Sequence, residues 1–276
     1  MKVGIVGLPN VGKSTLFNCL SQSKAQSENY PFCTIDPNVS IVNVPDLRLD
    51  KLSSLINPQK LIPTTVKIVD IAGLVKGASK GEGLGNKFLS NIRETDAIIH
   101  VLRCFDDPNI VHVDGRINPL SDKEVVEYEL ILKDIEIIEK RLDKIKKTLR
   151  SGSNESKKEI DILEKVLDQL QNMSVNRFDF SDDQFEEFIK PLELISFKPI
   201  LYVCNVGEND VTDGNSYVED VRREIENKDS EIIIISAKIE SEINELDSVE
   251  EKKIFLEDLG LKESGSNKLI RASYKL

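Results

Sequence analysis

Apolar residues recur along the chain with different periods, and each period predicts a different kind of element. Short runs rich in valine and isoleucine predict buried strands at residues 3–6, 65–70, 97–105, 199–204 and 231–235. Residues 39–44 alternate between apolar and polar and predict a further strand. Helices are predicted between these runs at residues 14–20, 48–56, 86–95, 216–226, 244–259 and 266–276. Strands that alternate with helices in this way predict an α/β domain with a mostly parallel sheet.

The period changes to a heptad after residue 125. Apolar residues spaced by three and four positions form a seam that comprises Ile131, Ile135, Ile138, Leu142, Ile145 and Leu149. Polar residues interrupt it at 151–154, and it resumes with Ile160, Leu163, Leu167 and Leu170. Two helices joined by a short polar turn predict an antiparallel coiled-coil hairpin inserted into the α/β domain, followed by a short helix at 182–188. We therefore expect α/β segments at 1–122 and 196–276, separated by a helical insertion at 123–195.

The first predicted strand is followed by a glycine loop that is typical of phosphate binding. Its pattern is Gly7-x4-Gly12-Lys13-Ser14, and the next residues begin a predicted helix. Backbone N–H groups of such a loop surround an anion, and the helix N-terminus adds its dipole. Lys13 would reach the β- and γ-phosphates, and the Ser14 hydroxyl would bind Mg²⁺. The residues expected to contact the nucleotide here are Asn10, Val11, Gly12, Lys13, Ser14 and Thr15.

Two further segments are expected to meet the γ-phosphate. A proline-containing loop at 28–38 has Thr34 as a candidate Mg²⁺ ligand, the alternative being an ordinary surface hydroxyl. Asp70 ends a predicted strand and can hold Mg²⁺ through water, while the backbone N–H of Gly73 can meet the γ-phosphate. Five glycines between Gly73 and Gly85 indicate a loop whose conformation depends on the nucleotide, or else a flexible connector.

Charge and composition limit the possible partners. With 37 Lys and Arg against 48 Asp and Glu, the net charge is −11, which argues against a broad nucleic-acid-binding surface. The predicted hairpin tip is nevertheless basic, which indicates either a local RNA contact or a solvated helix end; its cations are Lys144, Lys146, Lys147, Arg150, Lys157 and Lys158. No apolar run is long enough to span a membrane, and four scattered cysteines suggest reduced thiols. We therefore expect a cytoplasmic protein without a membrane partner.

Two strand ends lie at the positions where P-loop GTPases recognise the base. They carry Asn205-Val206-Gly207-Glu208 and Ser236-Ala237-Lys238. GTPases that recognise guanine have Asn-Lys-x-Asp at the first of these positions, whereas this chain has Val206 in place of the lysine and Glu208 in place of the aspartate. Loss of a bidentate charged hydrogen bond costs about 1.5–3 kcal/mol of guanine preference. The sequence therefore favours ATP over GTP.

These motifs together resemble the YchF, or Obg-like ATPase, family of translation-factor-related P-loop NTPases. The resemblance rests on Gly7-Leu8-Pro9-Asn10-Val11-Gly12-Lys13-Ser14, Asn29-Tyr30-Pro31-Phe32-Cys33-Thr34, Asp70-Ile71-Ala72-Gly73-Leu74-Val75-Lys76-Gly77-Ala78 and Asn205-Val206-Gly207-Glu208. It extends to the helical insertion and covers essentially the whole chain. It implies a Ras-like domain that hydrolyses ATP in preference to GTP and acts with the ribosome. Family members continue into a small TGS domain, whereas this chain stops at Leu276, and the resemblance leaves open whether the chain is naturally short or truncated.

The catalytic group is predicted from a departure from the Ras-like pattern. Leu74 follows Gly73, where Ras-like enzymes carry a glutamine that orients the attacking water, so slow hydrolysis is expected. The resemblance points to His112 as the group that replaces it; the alternative is a loop histidine packed on the hairpin. A K⁺ ion with Asn10 as a ligand could contribute instead.

The sequence thus predicts a Mg²⁺-dependent ATPase that hydrolyses ATP slowly and acts as a molecular switch associated with the ribosome. Movement of the loops around Thr34 and residues 73–85 would couple hydrolysis to the partner. Two alternatives stay open. One is a GTPase that acts in ribosome assembly, and the other is a nucleotide-gated binding module whose hydrolysis is incidental.

Overall fold

The computed structural model describes residues 1–22, 38–71, 84–112, 115–148, 154–175, 179–225 and 230–276. Six strands form one sheet in the order β2-β3-β1-β4-β5-β6. They are β1 (Lys2–Val6), β2 (Val39–Asn43), β3 (Thr65–Asp70), β4 (Ala97–Cys104), β5 (Ile200–Val206) and β6 (Ile232–Ile235). The strand predictions are confirmed, with each end within two residues of its expected position.

The sheet is mostly parallel, as the buried valine and isoleucine runs predicted. β1 pairs in parallel with β3 on one side and β4 on the other, and the β4–β5 and β5–β6 pairs are also parallel. Strand β2 pairs with β3 in the antiparallel direction. Because β1 lies between β3 and β4, the chain leaves its carboxyl end towards one side of the sheet and later crosses to the other. Open α/β sheets bind ligands at such a point.

The helices agree with the predicted order but differ in several bounds. They are α1 (Lys13–Gln22), α2 (Leu47–Ile56), α3 (Leu84–Arg93), α4 (Pro119–Thr148), α5 (Asn154–Gln171), α6 (Asp182–Gln184), α7 (Ser216–Ile225), α8 (Ala237–Glu245), α9 (Val249–Asp258) and α10 (Gly265–Lys275). The short helix expected at 182–188 continues as a π-helical turn (Phe185–Ile189) and a 3₁₀ turn (Lys190–Leu192).

Two helix predictions were wrong at their ends, both because of capping chemistry. The helical insertion was expected to begin at residue 123, but α4 begins at Pro119, whose fixed φ and missing N–H suit the first turn of a helix. A single helix was expected at 244–259, but α8 and α9 are separate. Ser248 caps α9, and Glu251 completes the capping box by accepting from the Ser248 N–H.

Contacts divide the chain into two compact units. The first consists of Met1–Leu74, Thr95–Lys123 and Pro199–Leu276 and contains the sheet. The second consists of Val75–Glu94 and Glu124–Lys198 and contains α3, α5 and most of α4. None of the described helices combines the length and the apolar character needed to cross a membrane.

The second unit is held together by the predicted heptad seam. Its buried cluster contains Ile131, Ile138, Leu142, Ile145, Leu163 and Leu170 from that seam, and Ile162 and Val166 add to it. Two ion pairs link α4 to α5, Arg141 to Glu159 at 2.6 Å and Lys146 to Glu164 at 2.7 Å. The helical hairpin is therefore confirmed, while Leu149 and Arg150 of the predicted tip lie outside the described residues.

Candidate nucleotide-binding site

Residues 7–14 connect β1 to α1 in a turn whose shape requires glycine at two positions. Gly7 and Gly12 have φ values of 150° and 96°, a region that other residues rarely adopt. A Cβ atom on Gly7 would lie 2.5 Å from the Val101 carbonyl oxygen, and one on Gly12 would collide with the Asn205 amide. The order of strand, glycine loop and helix that the sequence predicted is present.

Lys13 is almost completely buried, with 6% of the residue exposed. Its Nζ donates a hydrogen bond to the Leu8 carbonyl oxygen at 2.6 Å. Burial lowers the pKa of Lys13 to about 8, and attraction to Asp70 opposes that shift. A phosphate oxygen is a stronger acceptor for an ammonium group than a neutral carbonyl. Lys13 is therefore placed to exchange Leu8 for a phosphate.

Asp70 lies beside the loop because β3 pairs with β1, which places it opposite Ile5. The Ser14 hydroxyl donates to Asp70 Oδ2 at 3.5 Å, whereas Oδ1 is buried and has no hydrogen-bond partner. Burial raises the pKa of the Asp70 carboxyl, and Lys13 and Ser14 oppose the shift. A buried carboxylate oxygen without a partner is uncommon in folded proteins and fits a site that a ligand completes. The structure thus brings two of the three predicted metal ligands together.

The other residues predicted to surround the γ-phosphate lie outside the described part of the chain. These are Thr34, Gly73 and Leu74. Among the described residues, no group of three or more His, Cys, Asp or Glu side chains is arranged to hold a metal ion. A cation at Ser14 and Asp70 would therefore need phosphate oxygens and water to complete its shell, as Mg²⁺ commonly does.

A cavity of about 660 Å³ extends from the glycine loop to the ends of β5 and β6. Its volume is in the range of small-molecule sites. All six residues predicted to surround the base line this cavity, together with three from the phosphate loop: Asn10, Gly12, Thr15, Asn205, Val206, Glu208, Ser236, Ala237 and Lys238. The structure therefore joins the two predicted halves of the site in one cavity.

Asn205 connects the segments that form this cavity. Its Nδ2 donates to the Val11 carbonyl oxygen at 2.9 Å, and its Oδ1 accepts from the Ala237 N–H at 2.9 Å. The side chain is buried, so each bond is protected from water. Asn205 was expected to contact the base edge. The structure instead engages both ends of its amide with main-chain groups, and the residue fixes the phosphate loop against the start of α8.

Glu208 and Lys238 form an ion pair at the cavity wall. The pairing raises the pKa of the Lys238 ammonium through a hydrogen bond and charge attraction. Both side chains are substantially exposed, 45% for Glu208 and 70% for Lys238. The residue that replaces the guanine-reading aspartate thus already has a cationic partner from the neighbouring strand end.

Five cavity residues were missed by sequence reasoning, Phe105, Asp106, Asp107, Ile110 and Ser241. The first four follow β4 directly, and no motif marks them. The available signal was positional, because β4 pairs with β5 and the carboxyl ends of neighbouring parallel strands lie at the same edge of a sheet.

His112 is buried next to Asp122 in the first turn of α4. Its Nε2 lies 2.9 Å from Asp122 Oδ2, and the two residues are 8% and 2% exposed. The phosphate loop reaches this segment through Asn10, whose Nδ2 donates to the Val111 carbonyl oxygen at 3.1 Å. The catalytic role of His112 and the K⁺ contact of Asn10 both stay predictions.

Comparison with known proteins places this site in a family. The family model described as a 50S ribosome-binding GTPase matches residues 2–139. The ribosome-binding ATPase YchF of Bacillus subtilis is 52% identical over 279 residues, spanning 100% of this chain and 76% of the relative. The YchF of Escherichia coli O157:H7 is 48% identical, spanning 100% of this chain and 75% of the relative. The chain belongs to the YchF family.

Solved structures agree with this family. The Schizosaccharomyces pombe YchF GTPase superimposes with a TM-score of 0.86 at 37% identity, over 100% of this chain and 75% of that one. A GTP-binding protein from Pyrococcus horikoshii, at 20% identity and a TM-score of 0.57, shares the fold. Membership of the YchF family confirms the predicted resemblance and the predicted fold, a P-loop NTPase domain with a helical hairpin. P-loop NTPases generally hydrolyse their nucleotide with Mg²⁺.

Proposed function

We propose that this chain is a Mg²⁺-dependent ATPase that hydrolyses ATP slowly and binds the ribosome in a nucleotide-dependent way. The observation that carries the proposal is the single cavity that runs from Gly12 to Glu208 and Lys238. Its volume of about 660 Å³ accommodates a small molecule such as one nucleotide, whose phosphates would lie at the glycine loop and whose base would lie at the ends of β5 and β6. Ribosome binding is proposed from the relatives, which are named ribosome-binding ATPases.

The residues at the phosphate end fit a magnesium ion. Asp70 Oδ1 is buried without a hydrogen-bond partner, and the Ser14 hydroxyl lies beside the same carboxylate. When bound, Mg²⁺ would neutralise charge on the β- and γ-phosphates and hold them in line for hydrolysis. Ser14 would contact the ion directly and Asp70 through water. Thr34 is proposed as a further ligand from the part of the chain outside the described residues.

Lys13 and the loop backbone do the phosphate binding in this proposal. Lys13 gives up its bond to Leu8 and donates to the β- and γ-phosphates, while the N–H groups of Asn10 to Thr15 surround the β-phosphate. The charge of the phosphates raises the pKa of Lys13 from about 8, which keeps the ammonium protonated in the complex. The Gly73 N–H is proposed to contact the γ-phosphate.

His112 is the proposed group for orienting the attacking water. An ionised Asp122 can only accept a hydrogen bond, so we propose the tautomer of His112 that carries its proton on Nε2 and donates across the 2.9 Å contact. Nδ1 is then the acceptor nitrogen of the ring, the form that can receive a proton from water. The segment that contains His112 is hydrogen-bonded to the phosphate loop, because Asn10 donates to the Val111 carbonyl oxygen. A change in the phosphate loop on nucleotide binding would therefore act on the histidine through this bond.

The base end supports ATP rather than GTP. A guanine would need the Glu208 carboxylate as an acceptor, but that carboxylate is paired with Lys238. Guanine would have to break this ion pair and accommodate the longer glutamate. Both requirements lower the affinity for GTP. The competing reading is the GTPase named by the family model and by the S. pombe structure. A direct comparison of the two nucleotides separates these readings.

The ribosomal contact is proposed to include the basic end of the helical hairpin. Lys144, Lys146, Lys147, Lys157 and Lys158 are all exposed there, and Lys146 forms an ion pair with Glu164. Clustered exposed lysines bind RNA phosphates with a strong dependence on salt. A role on the ribosome would place the protein in the cytoplasm.

Two measurements test the proposal. Calorimetric titration with Mg·ATP and Mg·GTP should show tighter binding of ATP, by about tenfold or more if the Glu208 argument holds. Single-turnover hydrolysis by His112→Ala should slow by about a hundredfold, the usual contribution of a positioned acid or base. A tenfold preference for GTP would overturn the base assignment, and unchanged turnover in H112A would exclude His112.

A further inference from the structure

Arg103 lies at the inner side of the loop that forms one wall of the candidate base pocket. It is the seventh residue of β4 and is only 1% exposed, although arginine is seldom buried without partners. A buried guanidinium is strongly destabilising unless its N–H groups are hydrogen-bonded. The partners of Arg103 therefore determine why this position carries an arginine.

Those partners are three carbonyl groups of a single loop, residues 105–110. Nε donates to the Phe105 oxygen at 3.2 Å, Nη1 to the Ile110 oxygen at 3.0 Å and Nη2 to the Asp107 oxygen at 3.3 Å. The guanidinium carbon also lies 4.7 Å from the centre of the Phe105 ring, within the range of a cation–π contact. One side chain thus holds both ends and the middle of the loop.

The same loop lines the cavity in which the base is proposed to bind, through Phe105, Asp106, Asp107 and Ile110. Three of these four residues accept a hydrogen bond from Arg103 through their carbonyl groups, Asp106 being the exception. The guanidinium is a planar group with its donors in a fixed arrangement, so it can set three carbonyl positions at once, which a lysine cannot do.

We propose that Arg103 is a positioning residue that holds residues 105–110 in the shape that recognises the base. This inference rests on the proposed nucleotide site and deepens it. Arg103 touches neither the phosphate loop nor Asp70 among its recorded contacts. Its removal should therefore weaken the base-dependent part of binding and spare the phosphate-dependent part.

The experiment compares two ligands that share the phosphates but differ in the base. Mg·ATP and Mg·tripolyphosphate are titrated calorimetrically into the wild-type chain and into Arg103→Lys. The affinity of R103K for ATP should fall about tenfold, because lysine replaces three fixed donors by one mobile group, while tripolyphosphate affinity stays within about twofold. The preference for ATP over GTP should shrink in parallel.

The matched control is Arg93→Lys. Arg93 also donates to a main-chain carbonyl, that of Leu192, but belongs to the other unit. The Arg93→Lys variant should leave the affinities for ATP and for tripolyphosphate unchanged. The inference would be overturned if R103K lost affinity equally for both ligands, or if its affinity for ATP did not fall. A wild-type chain that binds tripolyphosphate but not ATP would contradict the proposed function itself, and the inference with it.

A second variant keeps the inference testable when R103K does not fold. Pro108 is exposed and does not line the cavity, and it lies between the Asp107 and Ile110 carbonyls that Arg103 holds. Pro108→Gly gives the unbound loop more freedom without disturbing the buried charge. Affinity for ATP should fall about threefold and that for tripolyphosphate should not change. Equal ATP affinity in P108G and wild type would overturn the inference.

Discussion

The phosphate end and the base end of the candidate pocket are built in different ways. The phosphate end takes most of its groups from one contiguous segment, residues 7–14, and adds Asp70 from a neighbouring strand. The base end is assembled from three segments, residues 105–110, 205–208 and 236–238, which are far apart in sequence. A single buried side chain, Asn205, bonds the two ends together.

This difference shows where binding strength and selectivity reside. The phosphate end is closely packed, since Gly7 and Gly12 have no room for a side chain and Lys13 is buried. The base end depends on hydrogen bonds and an ion pair between loops, each of which contributes about 1 kcal/mol or less in the solvent-exposed case. Substitutions at the two ends should therefore affect different properties of nucleotide binding.

The largest effect is expected from Lys13→Ala. The variant loses a charge-assisted contact to two phosphates, so affinity for ATP should fall about a hundredfold. GTP and tripolyphosphate should lose affinity by the same factor, because Lys13 does not touch the base. Calorimetry with all three ligands measures this. The control is Lys67→Ala on β3, which removes an exposed lysine; if K67A matches K13A, the phosphate assignment is wrong.

Exchange of the base-reading residues should change selectivity and leave the phosphate end intact. The double variant Val206→Lys and Glu208→Asp restores the guanine-reading pattern. Its ratio of GTP to ATP affinity should rise by roughly tenfold to a hundredfold, because a bidentate charged hydrogen bond to guanine becomes available. Competition between the two nucleotides measures the ratio. Tripolyphosphate affinity should be the same as in the wild type, and a drop there would show that the two ends are not separable.

Asn205 tests how the two ends are joined. Asn205→Ala leaves the Val11 oxygen and the Ala237 N–H buried without their partner, so the free energy of unfolding should fall by about 2 kcal/mol. Urea unfolding measures the loss. Asn205→Asp keeps the acceptor for Ala237 but not the donor for Val11, so it should lie between the wild type and N205A in ATP affinity. Wild-type stability in N205A would contradict the linking role.

The pH dependence of phosphate binding tests the contribution of Lys13. Its pKa in the free protein is lowered from 10.5 to about 8, and bound phosphates raise it again. Below pH 8 the ammonium is already present; above it, binding requires proton uptake, so affinity for tripolyphosphate should fall by up to about tenfold per pH unit. The lowered pKa also means that protonated Lys13 disfavours folding, and its contribution to the free energy of unfolding rises as pH increases from 8 towards 10.5.

A pH titration of tripolyphosphate affinity between pH 7 and 10 measures this effect. K13A serves as the reference because it lacks the titrating group and should show a flatter profile. A wild-type profile as flat as that of K13A would show that Lys13 stays protonated throughout, and that its burial does not control binding.

Much of the fold and the phosphate end could be predicted because their signals are local. Valine and isoleucine runs predicted five of the six strands and alternation predicted β2, the heptad seam predicted the hairpin, and Gly7 to Ser14 predicted the phosphate loop. The errors came from helix ends, where Pro119 and Ser248 act through capping rather than through period. The walls of the base pocket were found only in part, because Phe105 to Ile110 carry no motif.

The sequence by itself determined the family, the sheet and the chemistry of the phosphate loop, since each depends on spacing between near neighbours in the chain. The tertiary structure decided what joins them. It placed the Asn205 amide between Val11 and Ala237, paired Glu208 with Lys238, and buried Arg103 against three carbonyls of one loop. Those contacts depend on which strands lie side by side, and strand order is set by packing of the whole sheet rather than by any single segment.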